Sequence, residues 1–488
     1  MSYLELVRLA SPEIVVAVTA LAVLGFGLAG PRGTALCSFV AALGLALAVG
    51  AVLALPQQAA LFHGMLVVTP LTKLFKVICL ALAFFTAILA RGEGNNVPAL
   101  RNHGEYLAML LLATIGLMLL VGSEELLMIF IGLELTGLSL YVMAAFDKTD
   151  VRSAEAGLKY FLFGSTASAF TLFGLSFIYG MSGTTGLDAI GQKLTAGPVQ
   201  PLLAAGIVMT LVGFAFKIAA APFHLWAPDA YQGAPVASAA FIASGSKVAS
   251  FVVLGKIVLV GFGPVHGSAD WHAMIAGWSP VLAALAALSI VVGNLVALAQ
   301  SNVRRLLAYS AVAHAGYTLL GLVAGGSEGF SATLFYITVY GFTLVGAFGV
   351  VALVRRETGG DDLKNFSALW SRSPLLAGCM AIFMLSLAGL PPLAGFFGKF
   401  YLFSAALRAG ENLGLLWLVA LALLGSFISL YYYLIVLKVI FVDETSVAEP
   451  GMKIDVLQRI SLTVLAAAVL FLGVMPGSLA AQITASLP

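Results

Sequence analysis

The chain has 488 residues, of which 61% are hydrophobic and only 9% are charged, and its mean hydropathy is +1.05. Soluble domains carry about 25% charged residues, so this composition excludes a soluble protein and indicates a polytopic membrane protein. The formal net charge of +2 comes from basic residues scattered over loops, which argues against a nucleic-acid-binding surface.

Apolar segments of spanning length predict fourteen transmembrane helices, called helix 1 to helix 14 in chain order. They lie near residues 12–30, 34–54, 67–90, 105–121, 125–146, 156–180, 201–232, 235–262, 273–299, 302–324, 330–354, 373–407, 413–441 and 457–480. The longest polar connection runs from Arg355 to Arg372, which is too short to join soluble domains. The predicted fold class is therefore an all-α polytopic membrane protein, whose first helix is not a cleaved signal peptide.

The basic residues of the loops predict the orientation of these helices. The loops after odd-numbered helices contain thirteen lysines and arginines: Arg32, Arg91, Arg101, Lys148, Arg152, Arg304, Arg305, Arg355, Arg356, Lys364, Arg372, Lys453 and Arg459. The N-terminus and the loops after even-numbered helices contain three: Arg8, Lys193 and Arg408. This bias places the odd loops in the cytoplasm and both termini on the periplasmic side.

Cofactor motifs are missing from the sequence. The three cysteines, Cys37, Cys79 and Cys379, lie in apolar runs without CxxC or metal-ligand spacing. No glycine-rich dinucleotide or phosphate loop stands in its proper context. We therefore expect no cofactor and no metal in this chain, and any redox chemistry must take place on another chain.

Helix 5 contains a carboxylate near the middle of its span. Glu134 stands in the run LLMIFIGLELTGLSLYVMAAF, with apolar residues on both sides. A carboxylate at that depth is strongly desolvated unless a cation lies nearby. We therefore expect a lysine partner; the alternative is a protonated structural carboxyl that bonds to a neighbouring helix.

The stretch 213–251 combines buried charge with helix-breaking residues. Its sequence, GFAFKIAAAPFHLWAPDAYQGAPVASAAFIASGSKVASF, holds Lys217 and Lys247 in apolar runs with three prolines between them. A charged side chain at bilayer depth costs about 2.5–3.5 kcal/mol on insertion scales and usually marks function. Proline breaks are tolerated where the freed backbone groups are buried or line a wet cavity. We predict a break near 220–223, with Lys217 and His224 on either side of it facing the interior, as in an ion path.

Other lysines have simpler interpretations. Lys73 and Lys76 begin helix 3 on the periplasmic side and are expected to extend to the membrane surface. Lys256 is out of phase with Lys247 on helix 8 and is also expected to extend outward. Lys159 lies at an intermediate depth. For Lys217 and Lys247 the same interpretation, a kinked helix whose lysines reach the surface, remains the alternative to an ion path.

The second half of the chain repeats this pattern. His314 lies deep in helix 10 and titrates near neutral pH, which suits a relay, although a packed structural histidine is the alternative. The run MLSLAGLPPLAGFFGKFYLF carries Pro391 and Pro392, which predict a second break near 390–392, followed by Lys399. Broken helices 7 and 12 are five apart, which predicts two inverted five-helix repeats. The predicted divisions are 1–104 (helices 1–3), 105–262 (helices 4–8), 263–441 (helices 9–13) and 442–488 (helix 14).

The motifs resemble the antiporter-like membrane subunits of respiratory complex I, the NADH:quinone oxidoreductase. The resemblance covers essentially the whole chain from helix 2 onward and rests on PFHLWAPDAYQGAP, SKVASF, EAGLKYFLFGS, NVRRLLAYSAVAHAGY and GLPPLAGFFGKFYLF. DAYQGAP and EAGLKYF favour the subunit N branch over the L and M branches and over the multisubunit cation/proton antiporters. One departure is GAPVASAAF, where the family usually has a second proline after GAP.

The resemblance implies proton translocation in the bacterial inner membrane, driven by quinone reduction in a partner subunit. It assigns roles to seven side chains: Glu134 and Lys217 as the carboxylate–lysine pair of the input half, Lys247 as the central lysine, Lys399 as the output lysine, His224 and His314 as bridges through water, and Lys159 as a group that tunes the pair. A nearby carboxylate favours the charged lysine, and its withdrawal favours release of the proton.

The same resemblance implies partners and leaves alternatives. FMN, iron–sulfur clusters and the quinone site would lie on partner subunits, and the neighbours would be subunit M and the small subunits K and J. The first alternative is a subunit of a multisubunit sodium/proton antiporter. The second is a scaffold that conducts nothing, in which the deep charges would be dispensable.

Overall fold

The computed structural model describes residues 3–28, 33–93, 102–194, 199–410, 413–443 and 454–487. Three of the loop cations counted above, Arg32, Arg101 and Lys453, lie outside the described residues. The described chain is overwhelmingly α-helical, and a helix or a pair of half-helices occupies each of the fourteen predicted spans.

The spanning helices have the following bounds: helix 1 Ser11–Leu28, helix 2 Gly33–Ala54, helix 3 Pro70–Glu93, helix 4 His103–Val121, helix 5 Leu126–Ala144, helix 6 Val151–Ser182, helix 7 Pro201–Lys217 and Trp226–Gly233, helix 8 Val236–Ala243 and Gly245–Lys256, helix 9 Trp278–Ala297, helix 10 Val303–Ala324, helix 11 Gly326–Thr358, helix 12 Pro374–Ala388 and Ala394–Arg408, helix 13 Leu416–Phe441 and helix 14 Val456–Val474. Among the described residues, twelve of these are long and apolar enough to cross a membrane when the two halves of helix 8 are taken together. The other two are helices 7 and 12, so the predicted fold class and its two broken helices are confirmed.

The break in helix 7 lies where the prolines predict it. Its first half ends at Lys217 and its second half begins at Trp226. The amide of Ala221 donates to Ser289 Oγ of helix 9 at 2.8 Å, and the indole of Trp226 donates to the Phe216 carbonyl at 3.1 Å. Backbone groups freed by the break are thus bonded within the protein, which is the condition for irregular backbone at membrane depth.

Helix 12 is interrupted in the same way. Its first half ends at Ala388 and its second half begins at Ala394. The amide of Gly395 donates to Ser386 Oγ at 3.2 Å, and the ammonium of Lys399 donates to the Ala388 carbonyl at 3.0 Å. The lysine of the second half therefore caps the end of the first half.

Helix 8 has an interruption that the sequence analysis does not predict. Ser244 separates its two halves with φ −111° and ψ −80°, and its hydroxyl donates to the Ala240 carbonyl at 2.7 Å. A serine that bonds to the preceding turn competes with the helical ladder and bends helices. A single π-helical turn, Ile257–Gly261, then follows the second half.

The core of the bundle is formed by helices 8, 10 and 11. In the most apolar 18-residue stretch of each, 94% of the residues are buried. Helices 1, 2 and 6 lie at the periphery, and only 33% of the residues in their most apolar stretches are buried. Lys247 and His314 stand on two of the central helices and are both buried. The fold thus encloses its deep charges with apolar helices.

Short elements that the sequence analysis does not predict cover the ends of the bundle. A hairpin pairs Ala59–Leu61 with Leu66–Val68, and its Val67 amide donates to the Gly122 carbonyl at 2.7 Å. This bond ties the hairpin to the turn between helices 4 and 5. The remaining short α-helices of the described chain are Tyr3–Leu9, Leu187–Lys193, Leu369–Arg372 and Gly477–Ser486, and three 3-10 helices lie at Phe62–Gly64, Gly263–Val265 and Leu363–Phe366.

Candidate functional site

Three buried lysines, one each on helices 7, 8 and 12, have the same kind of surroundings. Their exposed fractions are 6% for Lys217, 1% for Lys247 and 4% for Lys399. Each ammonium donates to a backbone carbonyl of another helical segment: Lys217 to Leu133 at 3.5 Å, Lys247 to Ala311 at 2.7 Å and Lys399 to Ala388 at 3.0 Å. Each also lies over a tyrosine ring: Tyr141 at 5.8 Å, Tyr340 at 5.8 Å and Tyr317 at 5.0 Å.

Neutral dipoles, not carboxylates, hold these three ammonium groups. Across the described chain, no carboxylate oxygen lies within 4.0 Å of any of them. When one partner of a buried ion pair loses its charge, the other is left uncompensated. A lysine that rests on carbonyls and an aromatic face can release its proton without leaving such a charge behind. This arrangement is therefore suited to proton exchange.

Glu134 lies beside Lys217 without forming an ion pair with it. Its carboxylate is half-buried on helix 5 and accepts a short hydrogen bond, 2.5 Å, from Ser168 Oγ of helix 6. Lys217 contacts the same helix at Leu133, and a Cβ placed on Gly137 would come within 3.1 Å of its ammonium nitrogen. The structure thus brings the two predicted partners to one stretch of helix 5.

His314 is the centre of a hydrogen-bonded chain. The Tyr336 hydroxyl lies 2.6 Å from its Nδ1, and the Tyr433 hydroxyl lies 3.0 Å from its Nε2. Tyr433 also shares a 2.5 Å hydrogen bond with Ser310. In a neutral imidazole one ring nitrogen donates and the other accepts, so both nitrogens are satisfied in either tautomer.

A second hydrogen-bonded cluster adjoins Lys399. The ammonium of Lys399 donates to Ser426 Oγ at 2.8 Å. Beneath it, the Tyr317 hydroxyl accepts from Asn294 Nδ2 at 2.9 Å, and the Tyr432 hydroxyl donates to Asn294 Oδ1 at 3.1 Å. Polar groups around Lys399 are therefore satisfied by one another.

His224 lies within the break in helix 7, two residues before the second half begins, and is 7% exposed. Its ring lies 6.2 Å from that of Tyr309 on helix 10, centroid to centroid. Its Nδ1 is buried without a hydrogen-bond partner among the described residues. His224 is buried as predicted, but it lies inside the break and not beyond it, because the break runs to residue 225 and is longer than the predicted 220–223.

Lys159 does not contact the pair that it is expected to tune. Its ammonium lies 2.6 Å from Glu155 and 2.6 Å from Asp229, and it is 39% exposed. Asp229 in turn binds Arg305 at 2.7 Å. Lys159 is thus held by two carboxylates, and its role in tuning Glu134 and Lys217 stays a prediction.

Two lysines expected at the membrane surface are buried in ion pairs instead. Lys76 is 1% exposed and lies 2.6 Å from Glu13 of helix 1. Lys256 is 4% exposed, donates to the Val121 carbonyl at 3.0 Å and lies 3.3 Å from Glu124. The predictions of surface lysines are wrong here because each ammonium lies near a carboxylate: Glu13 at the start of helix 1 for Lys76, and Glu124 in the turn between helices 4 and 5 for Lys256.

Three comparisons with known proteins agree with one another. The family described as NADH:quinone oxidoreductase/Mrp antiporter, TM, matches residues 123–429. NADH-quinone oxidoreductase subunit N 2 of Acidobacterium capsulatum is 46% identical over 489 residues, covering 98% of each chain. A chain of respiratory complex I from Thermus thermophilus is 33% identical with a TM-score of 0.80, over 98% of this chain and 100% of that one. A chain of the Mrp complex from Dietzia sp. shares the fold, with a TM-score of 0.85 at 22% identity over 98% of this chain and 97% of that one.

Proposed function

Because the chain belongs to the NADH:quinone oxidoreductase/Mrp antiporter transmembrane family, we propose that it is the proton-translocating antiporter-like subunit, of the subunit N type, of a respiratory NADH:quinone oxidoreductase. FMN, the iron–sulfur clusters and the quinone site belong to partner subunits in this proposal. The positions of the cysteines support that division, since all three are free and buried in helices 2, 3 and 12.

One observation carries the proposal: three buried lysines rest on neutral carbonyls along the interior of the bundle. Glu134 and Lys217 form the input side, Lys247 is the central site and Lys399 is the output side. In this proposal His314 lies between the central site and the output side: its ring is 5.1 Å from that of Tyr340 beneath Lys247 and 5.6 Å from that of Tyr317 beneath Lys399. No covalent bond other than that to a proton is broken in this chain.

The mechanism is electrostatic. A shift of the Glu134 carboxylate toward Lys217 favours the charged lysine, and a shift away favours proton release. The released proton passes to Lys247 and then toward Lys399. Moving one charge against 100 mV costs about 2.3 kcal/mol, which quinone reduction in the partner subunits must supply.

Replacement of Lys217 in the assembled complex tests the proposal. We expect Lys217→Ala to lower quinone reduction and proton pumping together, because a blocked proton step holds back a tightly coupled redox step. Lys217→Arg keeps the charge but does not exchange its proton, so it should not restore activity. Lys438→Ala, at an exposed position on helix 13, is the matched control and should leave both rates unchanged.

Assembly is verified first on native gels, since removing a buried charged group can destabilise the subunit. An assembled Lys217→Ala complex that pumps at the wild-type rate would contradict the proposal and favour a scaffold that conducts nothing. Pumping that requires sodium in place of protons would favour the sodium/proton antiporter alternative.

The proposed location is the bacterial inner membrane, with both termini periplasmic and with subunits M, K and J as neighbours. The bias of basic residues toward odd loops supports this orientation. Ala481→Cys and Lys364→Cys are exposed test positions on opposite sides, and the native cysteines are buried. An impermeant thiol reagent added from the periplasm should label Ala481→Cys only. Labelling of Lys364→Cys alone would reverse the orientation.

A further inference from the structure

Arg304 is a buried arginine in the first turn of helix 10, and the proposed path does not use it. The side chain of Arg304 is 2% exposed, whereas that of its neighbour Arg305 is 29% exposed. Taking a charge out of water is costly unless nearby groups compensate it. The partners of Arg304 therefore indicate what the buried charge holds in place.

The guanidinium of Arg304 binds the turn that joins helix 7 to helix 8, residues 231–235. Its Nη1 donates to the Ala234 carbonyl at 2.8 Å and to the Tyr231 carbonyl at 3.3 Å. In a continuous helix the Tyr231 carbonyl would accept the amide of residue 235, but that residue is Pro235, which has no N–H. Arg304 supplies the donor that the proline lacks, so it takes the place of a helical hydrogen bond at this turn.

Asp361 anchors the guanidinium from its other side. This buried carboxylate belongs to the connection between helices 11 and 12 and forms an ion pair with Arg304 Nε. Its side chain also accepts from Asn302 Nδ2 at 2.9 Å and from Arg355 Nη1 at 3.0 Å, and its carbonyl accepts the Val303 amide at 2.9 Å. Because Asp361 is fixed by both its side chain and its backbone, it gives Arg304 a rigid point of attachment.

Lys247 rests on the same helix as Arg304. Helix 8 begins at Val236, directly after the turn, and its Lys247 ammonium donates to the Ala311 carbonyl of helix 10 at 2.7 Å. Arg304 and Ala311 are about two turns apart on helix 10, so they lie on one face of it. Helix 10 thus holds helix 8 at two points, the turn before it and Lys247. Movement of the turn along helix 10 would carry the Lys247 ammonium away from its carbonyl.

We propose that Arg304, anchored by Asp361, is a positioning residue for Lys247. It holds the turn of residues 231–235 against helix 10 and thereby keeps the Lys247 ammonium on the Ala311 carbonyl. This inference rests on the proposed function, in which Lys247 is the central exchange site. Arg304 does not itself exchange a proton, because an arginine stays protonated at any accessible pH.

Arg304→Lys in the assembled complex tests this role. The variant keeps the positive charge opposite Asp361, but a lysine lacks the planar fork with which one side chain reaches the carboxylate and the carbonyls together. We expect quinone reduction and pumping per assembled complex to slow about tenfold, the rate equivalent of one lost charge-assisted hydrogen bond. The solvent deuterium isotope effect on turnover should rise, since proton transfer at the displaced Lys247 becomes rate-limiting. Amide hydrogen exchange in residues 231–243 should also become faster.

Arg372→Lys is the matched control. Arg372 is also buried, donates to the Asn365 carbonyl at 2.6 Å and to the Ser367 carbonyl at 3.2 Å, and lies 3.3 Å from Glu357. These three partners lie at the end of helix 11 or in the connection that follows it. The control therefore removes the same kind of fork at a distance from the turn, and turnover and its isotope effect should stay at wild-type values.

A double variant covers the case in which Arg304→Lys does not assemble. Arg304→Gln with Asp361→Asn removes both buried charges together, so neither is left uncompensated. The remaining guanidinium, that of Arg355, is 35% exposed and in contact with water. The double variant also loses the charged clamp on the turn, so the same slower turnover and larger isotope effect are expected.

The outcomes separate this inference from the proposed function. An assembled Arg304→Lys complex with wild-type turnover, beside an inactive Lys217→Ala complex, would overturn the role of Arg304 alone. Slower turnover with an unchanged isotope effect would also overturn it, because a merely structural arginine explains that result. Wild-type pumping by the Lys217→Ala, Lys247→Ala and Arg304→Lys complexes would overturn both.

Discussion

Two kinds of buried charge coexist at the scale of single residues. Lys217, Lys247 and Lys399 rest on carbonyls and tyrosine rings, whereas Lys76 and Lys256 are paired with Glu13 and Glu124. An ammonium paired with a buried carboxylate, as Lys76 is with Glu13, keeps its charge because its neutralisation would leave the carboxylate uncompensated, whereas Glu124, the partner of Lys256, is 41% exposed. We infer that the first kind exchanges protons and the second kind joins helices.

Glu13→Gln tests the structural role of the second kind. It leaves the Lys76 ammonium buried without a counter-charge, so we expect a loss of about 3–5 kcal/mol of stability. The measurement is the fraction of this subunit that stays bound in the solubilised complex as the temperature is raised. Glu155→Gln is the control, since exposed pairs contribute about 0–1 kcal/mol. The double variant with Lys76→Met should regain most of the loss; an unaltered single variant would contradict the role.

Depth in an apolar run was sufficient to predict that Lys217, Lys247 and Lys399 are buried. Depth did not predict which groups these lysines contact. Every residue has a backbone carbonyl, so the sequence does not single out the one that accepts, and the tyrosines stand in otherwise apolar runs. It also failed for Lys76 and Lys256, since position near a helix end gives no information about a carboxylate on a neighbouring helix. Glu13 and Glu124, at the same end of the bundle, were the available signal.

At the scale of elements, the proline-rich breaks were predictable and the break in helix 8 was not. Proline removes a backbone donor, so Pro222, Pro391 and Pro392 mark their breaks directly in the sequence. Ser244 breaks helix 8 through a side-chain bond that depends on local geometry. The contacts that satisfy the broken backbone, such as Ser289 with Ala221, come from distant helices and have no local signal.

Gly389→Ala tests whether the break in helix 12 positions Lys399. Gly389 has φ +86°, and an added Cβ would lie 2.9 Å from Lys399 Cδ and 3.3 Å from its ammonium nitrogen. We expect backbone strain of about 1–2 kcal/mol together with displacement of the lysine and loss of pumping. Gly378→Ala, on the same half-helix, meets nothing within 4 Å and should be harmless. Equal activity of the two assembled variants would contradict a positioning role.

At the scale of the whole molecule, charged groups connect the two predicted repeats. Asp229, at the end of helix 7, binds Lys159 of helix 6 and Arg305 of helix 10. Lys247 of helix 8 likewise donates to Ala311 of helix 10. The two predicted repeats are therefore joined at helix 10, and in the proposed path Lys247 is the lysine that passes the proton from one repeat to the other.

Proton pumping by an assembled complex that carries Lys247→Ala tests the central claim most directly. Quinone reduction and acidification of proteoliposomes are measured together, after native gels establish that assembly is complete. We expect both rates to fall to about a tenth or less, since loss of the central exchange site interrupts the path between the repeats. Full assembly with quinone reduction and acidification at wild-type rates would contradict it.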